Sequence, residues 1–102
     1  MNPTEITACI KQAIYDYSEA INQIENTDME MYDIRVYLFY NKLQFGLCRY
    51  FQHKFGLHKA TLLSDYFKFG DRYIEKTPIS AITKQDLIFT LQFRKNFLNK
   101  YL

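Results

Sequence analysis

Residues 3–26 place apolar side chains three and four positions apart along their whole length, and this spacing constrains the fold most strongly. The stripe consists of Ile6, Ile10, Ala13, Ile14, Tyr17, Ala20, Ile21 and Ile24. Residues at these spacings share one face of an α-helix. Pro3 suits the first helical position, Asn2 suits the cap before it, and Asn26-Thr27-Asp28 is typical of a turn. The sequence therefore predicts a helix from Pro3 to about Asn26.

The rest of the chain contains few residues that interrupt helices, because its 102 residues include 3 Gly and 2 Pro. Apolar spacing predicts helices through residues 47–55, ended by Gly56, and through about 58–67, stopped before Gly70. Thr83 and Asp86 form an acidic variant of the capping box at the start of a last helix, where Ile82 can pack on Leu87. We therefore predict an all-α fold in a single domain, residues 1–102. It is a compact bundle of four to five helices with long first and last helices.

Two segments are less regular. Residues 33–40 alternate apolar and polar side chains as a strand does, but Met31, Ile34 and Leu38 also fit a helix capped by Asp28. Since no second strand is available, we predict a helix and keep an α+β fold with one short strand near 33–40 as the alternative. Pro78 disfavours helix before it, so residues 71–80 are expected to be extended.

Charge is divided between two parts of the chain. Residues 1–34 hold seven acids and one base, a net of −6, whereas residues 35–102 hold twelve bases and four acids, a net of +8. Three arrangements follow from this asymmetry. Either the two parts pair within the fold, or the acidic face of one copy meets the basic face of another, or the basic part binds an anionic partner.

The chain has 9 Tyr and 9 Phe, more large rings than a core of this size requires. We expect several of them at a binding or oligomer interface, where tyrosine is enriched. The alternative is a rim of tyrosines with their hydroxyls in water. Cys9 and Cys48 are interpreted as free buried thiols of a reducing cytosol. The sequence shows neither an apolar run that could span a membrane nor a signal-peptide pattern, which predicts a cytoplasmic protein.

Residues 34–64 contain no acid and interleave five bases with aromatic rings. Basic groups beside rings suit phosphates and stacked bases, although a solvated basic helix face gives the same pattern. Arg49 and His53 stand four apart and share a helix face. The candidate ligand-binding residues are Arg35, Arg49, Tyr50, His53 and Arg94.

Arg94 lies in the apolar arc of the last helix, where a guanidinium is costly unless it is paired. Either its stem packs and its head reaches the rim or an acid such as Asp16, or the partly buried guanidinium binds a phosphate or a partner's carboxylate. On the polar side of the first helix, Tyr15, Glu19 and Glu25 are candidate partner-binding residues. The sequence has no GxSxG, HExxH or glycine-rich phosphate loop, and its two histidines have no spaced ligand partners. We therefore expect no enzyme, no cofactor and no metal.

Two segments resemble a known group of proteins. Asp33-Ile34-Arg35 followed by Phe45-Gly46-Leu47-Cys48-Arg49-Tyr50-Phe51 resembles the GLC segment of small uncharacterised proteins encoded by bacterial viruses. The run from Tyr73 to Pro78 and a final helix with Leu91, Arg94 and Leu98 resemble their Tyr…Pro segment and closing Arg-x-x-x-Leu helix, with Ile74-Glu75 replacing the usual aromatic pair. The resemblance covers about residues 33–98. It implies a viral accessory protein that works by binding, commonly in counter-defence, but no established activity.

These features together predict a non-enzymatic phage-type binding protein that antagonises bacterial immunity. In one mechanism a homo-oligomer sequesters an anionic nucleotide signal. In the other an inhibitor occludes a host defence protein, such as a nuclease. The alternative is a small nucleic-acid-binding regulatory protein, whose binding would weaken steeply with salt.

Overall fold

The computed structural model describes residues 1–68 and 83–102. This part of the chain forms five α-helices and no strand, in the order α1 (Pro3–Asn26), α2 (Met31–Tyr40), α3 (Leu47–Phe55), α4 (Leu57–Phe67) and α5 (Lys84–Asn99). The prediction of an all-α fold with long first and last helices is confirmed. The expected extended backbone at 71–80 and the packing of Ile82 on Leu87 lie outside the described residues.

The capping residues identified in the sequence begin the two longest helices. The Asn2 side chain accepts a hydrogen bond of 2.8 Å from the backbone N–H of Glu5, and Pro3 is the first residue of α1. At α5, the Thr83 hydroxyl accepts from the N–H of Asp86 at 3.2 Å, and the Asp86 carboxylate accepts from the N–H of Thr83 at 3.3 Å. Both helices therefore begin where local hydrogen bonding satisfies their first free N–H groups.

Residues 33–40 are helical, so the alternative of a short strand is wrong. The cap of α2 is Glu30 rather than Asp28, and the Asp33 carboxylate accepts a hydrogen bond of 3.3 Å from the Glu30 N–H. Ile34 and Leu38, four residues apart, are the buried residues of this helix. The strand-like alternation extends to Tyr40 because the outer side of α2 also carries large rings, which are exposed at Tyr32, Phe39 and Tyr40.

A left-handed residue closes α2. Lys42 has φ 62°, its N–H donates to the carbonyl of Phe39 at 3.2 Å, and the N–H of Leu43 donates to that of Leu38 at 2.8 Å. This pair of bonds forms a Schellman motif. Glycine is usual at the left-handed position, because an L side chain there costs roughly 1–2 kcal/mol.

Gly56 alone separates α3 from α4. Its φ is 92°, its N–H donates to the Gln52 carbonyl at 3.1 Å, and its carbonyl accepts from the Ala60 N–H at 3.0 Å. Gly56 thus ends α3, as the sequence predicted, and it also begins α4. Only glycine adopts this backbone conformation readily.

The core lies between α1 and α5 and between α3 and α4, which are the closely packed helix pairs. Tyr17, Tyr50 and Phe51 are its largest fully buried side chains. The Tyr17 and Tyr50 rings have centroids 5.5 Å apart, and Phe51 stacks on Phe67 at 5.9 Å. Within residues 1–68 and 83–102, no helix has both the length and the apolar character needed to cross a bilayer.

Candidate anion-binding surface

Three side chains along α3 and the residues just before it lie together on the outside of the fold. The Arg49 guanidinium carbon lies 5.0 Å from the centroid of the Phe45 ring. The His53 ring lies 6.4 Å from the same ring and within 25° of parallel to it. All three residues are exposed, Phe45 to 39%. We call Phe45, Arg49 and His53 the basic–aromatic surface. Lys42, three residues before Phe45 in the chain, is a candidate fourth member.

The positive charge of this surface is not neutralised by the described part of the protein. No carboxylate in that part forms an ion pair with Arg49, whereas Lys54 on the same helix pairs with Asp16, Nζ to Oδ2, at 3.3 Å. A guanidinium stacked on a ring keeps its hydrogen-bond donors available for an anion. Arg49 is therefore available to a phosphate or carboxylate from outside the fold.

Lys42 adds a second cation at the end of α2. Its Nζ lies 5.5 Å from the centroid of the Phe39 ring. Phe39 and the neighbouring Tyr40 are both exposed, with ring centroids 5.7 Å apart. The end of α2 therefore carries a cation and two exposed rings, with Lys42 three residues before Phe45.

Lys42 and Phe45 were not singled out by the sequence. Both lie between helices, where helical periodicity gives no information about which side chains meet. The available signal was the spacing of four from Phe45 to Arg49 and from Arg49 to His53, which continues across the start of α3 at Gly46. Arg35, which was singled out, is exposed on α2 and lies seven residues before Lys42, about 10 Å along the helix.

Arg94 supports the turn between α2 and α3 from inside the core. It is 5% exposed, and its Nη1 donates to the carbonyl oxygens of Leu43 at 3.2 Å and Phe45 at 2.7 Å. Its buried Nε has no hydrogen-bond partner among the described residues. The sequence placed this guanidinium at the rim, at Asp16 or on a ligand. It lies instead against backbone carbonyls, because the turn leaves these groups without helical partners.

Tyr50 also differs from its expected place on the ligand surface. It is fully buried, and its hydroxyl donates to Asp16 Oδ2 at 2.5 Å. Burial raises the pKa of Tyr50, and the hydrogen bond to Asp16 and the charge of that carboxylate raise it further. Successive helical residues point about 100° apart, so Tyr50 turns inward where Arg49 faces solvent.

The candidate partner-binding residues of α1 fall into two groups. Tyr15 is 60% exposed, and its hydroxyl donates to Glu19 Oε1 at 3.4 Å. Burial raises the pKa of Tyr37 on α2, and the negative charges of Glu19 and Asp16 raise it further. Glu25 lies six residues after Glu19, about 120° around the helix, in a shallow groove with Lys84, Gln85 and Ile88. The structure therefore brings Tyr15 and Glu19 together and leaves Glu25 elsewhere.

Among the described residues, the acidic first third pairs little with the basic remainder. Of its seven acids, Asp16 is the one that forms an ion pair within residues 1–68 and 83–102. Its partner is Lys54, and its carboxylate also accepts from Gln12 Nε2 at 3.0 Å. The charge asymmetry of the sequence therefore persists on the surface, where it can act on other copies or on other molecules.

The described residues include two cysteines as potential nucleophiles. Cys9 and Cys48 are both free thiols, buried and half-buried respectively. Burial raises the pKa of the Cys9 thiol, which keeps it protonated and weakly nucleophilic. The described residues contain no group of three or more His, Cys, Asp or Glu side chains placed to hold a metal ion.

Comparisons with protein-family models, with curated proteins and with solved structures found no match to this chain. Its function is therefore inferred from the basic–aromatic surface and from the charge distribution around it.

Proposed function

We propose that this chain is a non-enzymatic phage-type binding protein that antagonises bacterial immunity by sequestering an anionic nucleotide on the basic–aromatic surface. The observation that supports this function is the Arg49 guanidinium over Phe45, with His53 beside the same ring and no carboxylate partner in the described residues. A phosphate suits the guanidinium, and a base suits an exposed ring. The phage and counter-defence context comes from the sequence resemblance over residues 33–98.

The contribution of the Arg49 guanidinium to nucleotide binding is tested by calorimetric titration with cyclic AMP, cyclic di-AMP and ATP. Arg49→Gln should weaken the tightest of these interactions about 10-fold or more, because a charged hydrogen bond contributes roughly 1.5–3 kcal/mol. Lys11→Gln is the matched control, since it removes one positive charge from the exposed side of α1. Equal affinity of Arg49→Gln and wild type, or no binding of any nucleotide, would sink the proposal.

The contribution of the Phe45 ring to nucleotide binding is tested by Phe45→Leu, which keeps an apolar side chain but removes the aromatic face on which a base can stack. Base stacking on an aromatic ring contributes about 1–3 kcal/mol, so nucleotide affinity should fall while inorganic phosphate binding stays unchanged. Tyr32→Leu, at an exposed ring near the start of α2, is the control. A loss of phosphate and nucleotide affinity in equal proportion would show that Phe45 only supports Arg49.

A second mode of counter-defence is favoured by the unpaired acids of α1. Tyr15 and Glu19 offer an exposed ring beside a carboxylate that forms no ion pair with the described residues, a chemistry that suits a basic surface on a host defence protein. Glu19→Lys should then abolish inhibition of the host protein, whereas Glu25→Lys, on a different face, should not. The nucleic-acid alternative predicts instead that affinity for single-stranded DNA is high and falls steeply with added salt.

A further inference from the structure

A row of aromatic side chains runs along α5 and the turn after it, at a constant spacing of four residues. Its members are Phe89, Phe93, Phe97 and Tyr101. The end of the row is anchored on α4, where the Phe67 ring lies 5.9 Å from Phe97 and 4.7 Å from Tyr101. The beginning of the row faces outward. Phe89 is 73% exposed and Phe93 is 55% exposed.

Phe89 and Phe93 lie on the side of α5 opposite its buried residues, which are Leu87, Leu91, Arg94 and Leu98. Two phenylalanines on a solvent-facing side are costly, because each ring exposes apolar area that water disfavours. A ridge of side chains four residues apart can pack against a second helix that crosses at about 20°, which keeps the two helices in contact over several turns. The outer side of α5 therefore has the shape and polarity of a helix-packing surface.

The charges along this side of α5 indicate which helix packs there. Asp86 and Lys100 are both exposed and stand seven residues before and seven after Phe93. Seven residues are nearly two helical turns, so all three side chains point the same way. When a second α5 lies antiparallel with Phe93 on the two-fold axis, Asp86 of each copy faces Lys100 of the other. Phe89 then faces Phe97 of the other copy, and the two helix dipoles are opposed.

We infer that the Phe89–Phe93 ridge is a homodimer interface in which two copies of α5 pack antiparallel about a two-fold axis at Phe93. Such an interface is self-complementary, as a two-fold interface must be. An unrelated apolar partner would not require an acid and a base at equal distances from the central ring. The exposed parts of the two rings amount to about 250 Å² per copy, estimated from typical ring areas. Since this is less than a standard interface buries, the dimer dissociates reversibly on dilution.

The first test is sedimentation velocity over a range of protein concentrations. Wild type should pass from monomer to dimer as concentration rises, and Phe93→Asp should remain monomeric with unchanged helical circular dichroism. Asn99→Asp, which adds the same charge at an exposed position elsewhere on α5, should dimerise as wild type does. A wild-type protein that is monomeric throughout, or a Phe93→Asp protein that still dimerises, overturns the inference. The ridge would then belong to a partner of a different sequence.

The second test locates the axis by oxidative cross-linking of introduced cysteines. Phe93→Cys places two thiols next to each other across the axis, whereas the residues at position 89 of the two copies are about 12 Å apart along the helix. A disulfide requires Cα atoms within about 7 Å. Phe93→Cys should therefore form a covalent dimer, and Phe89→Cys should not exceed the wild-type background from Cys9 and Cys48. Equal cross-linking at 89 and 93, or none at 93, contradicts the antiparallel arrangement.

Discussion

The Arg94 side chain in α5 holds the backbone of Phe45 through a hydrogen bond of 2.7 Å from Nη1 to the carbonyl oxygen. The bond connects a core helix to the turn that carries the exposed ring of the basic–aromatic surface. The Phe45 ring, in turn, lies under the Arg49 guanidinium at 5.0 Å. Arg94 thus positions the backbone of Phe45, and the Phe45 ring in turn contacts Arg49.

Exchanging Arg94 for lysine should destabilise the fold by about 1–3 kcal/mol, because an ammonium cannot reproduce the planar guanidinium geometry and a carbonyl is left without its partner. Chemical denaturation followed by circular dichroism measures the change. Lys95→Arg, the reciprocal exchange at the next residue, should have little effect. Unchanged stability in Arg94→Lys would show that the carbonyl hydrogen bonds contribute nothing.

The bond between Tyr50 and Asp16 should make the protein sensitive to alkali. The pKa of Tyr50 is raised in the fold by burial first and by Asp16 second. An acid with a raised folded-state pKa keeps its proton in the native state, so its stabilising contribution is complete below the ordinary tyrosine pKa of about 10 and is lost as pH rises above it. The free energy of unfolding of wild type should therefore decline across this range.

Tyr50→Phe separates this contribution from the other tyrosines. The variant should be less stable at neutral pH by about 1.5–3 kcal/mol, the usual range for a hydrogen bond to a charged group, and its stability should decline less steeply in alkali. Tyr15→Phe, which changes an exposed hydroxyl, should match wild type in both respects. If the free energy of unfolding declined equally steeply in alkali for wild type and for Tyr50→Phe, the alkaline sensitivity would not come from Tyr50.

Two lysines with left-handed backbone allow the effect of backbone strain on stability to be separated from the effect of the side chain on nucleotide binding. Lys42 has φ 62° and Lys68 has φ 57°, each at the end of a helix. Glycine at either position should raise the free energy of unfolding by up to about 1 kcal/mol, since it removes the steric cost of the left-handed conformation. Lys42→Gly should also weaken nucleotide binding, whereas Lys68→Gly should not. Equal affinities of the two variants would remove Lys42 from the basic–aromatic surface.

Gly56→Ala should destabilise the protein by about 1–3 kcal/mol, measured by urea denaturation, because its backbone conformation is one that L residues rarely adopt. A Cβ added at this position would meet no atom within 4 Å, so a steric clash does not contribute. A neutral Gly56→Ala would mean that the junction between α3 and α4 can adopt a different backbone conformation.

Much of the fold follows from local signals in the sequence. Asn2, Thr83 and Asp86 mark helix starts through hydrogen bonds that span three residues, so sequence spacing alone predicts them. Pro3 marks the same start as Asn2 through its fixed φ. The strand-like alternation near 33–40 was misleading because the exposed rings of α2 resemble core residues. Whether an aromatic ring faces water depends on which other helices cover it, and local spacing does not contain that information.

The candidate site was only partly visible in the sequence, for the same reason. Arg49 and His53 share one helix face, as their spacing predicted, and both lie against the Phe45 ring. The sequence predicted that Tyr50 and Arg94 bind a ligand. Sequence alone does not distinguish a tyrosine or arginine that binds a ligand from one that binds another part of the protein. Their actual partners are Asp16, 34 residues away from Tyr50, and Phe45, 49 residues away from Arg94. Contacts at such separations are set by helix packing.

The most direct test of the central claim is backbone amide chemical-shift mapping by NMR during titration with cyclic di-AMP, and in parallel with ATP. Nucleotide binding at the basic–aromatic surface should give saturable shifts at Lys42, Phe45, Arg49 and His53, and none at Tyr15 or Glu19. Arg49→Gln should move the midpoint of the titration to a nucleotide concentration at least about 10-fold higher while leaving the spectrum dispersed. Shifts confined to α1, or no saturable shift with either nucleotide, would contradict nucleotide binding at this surface.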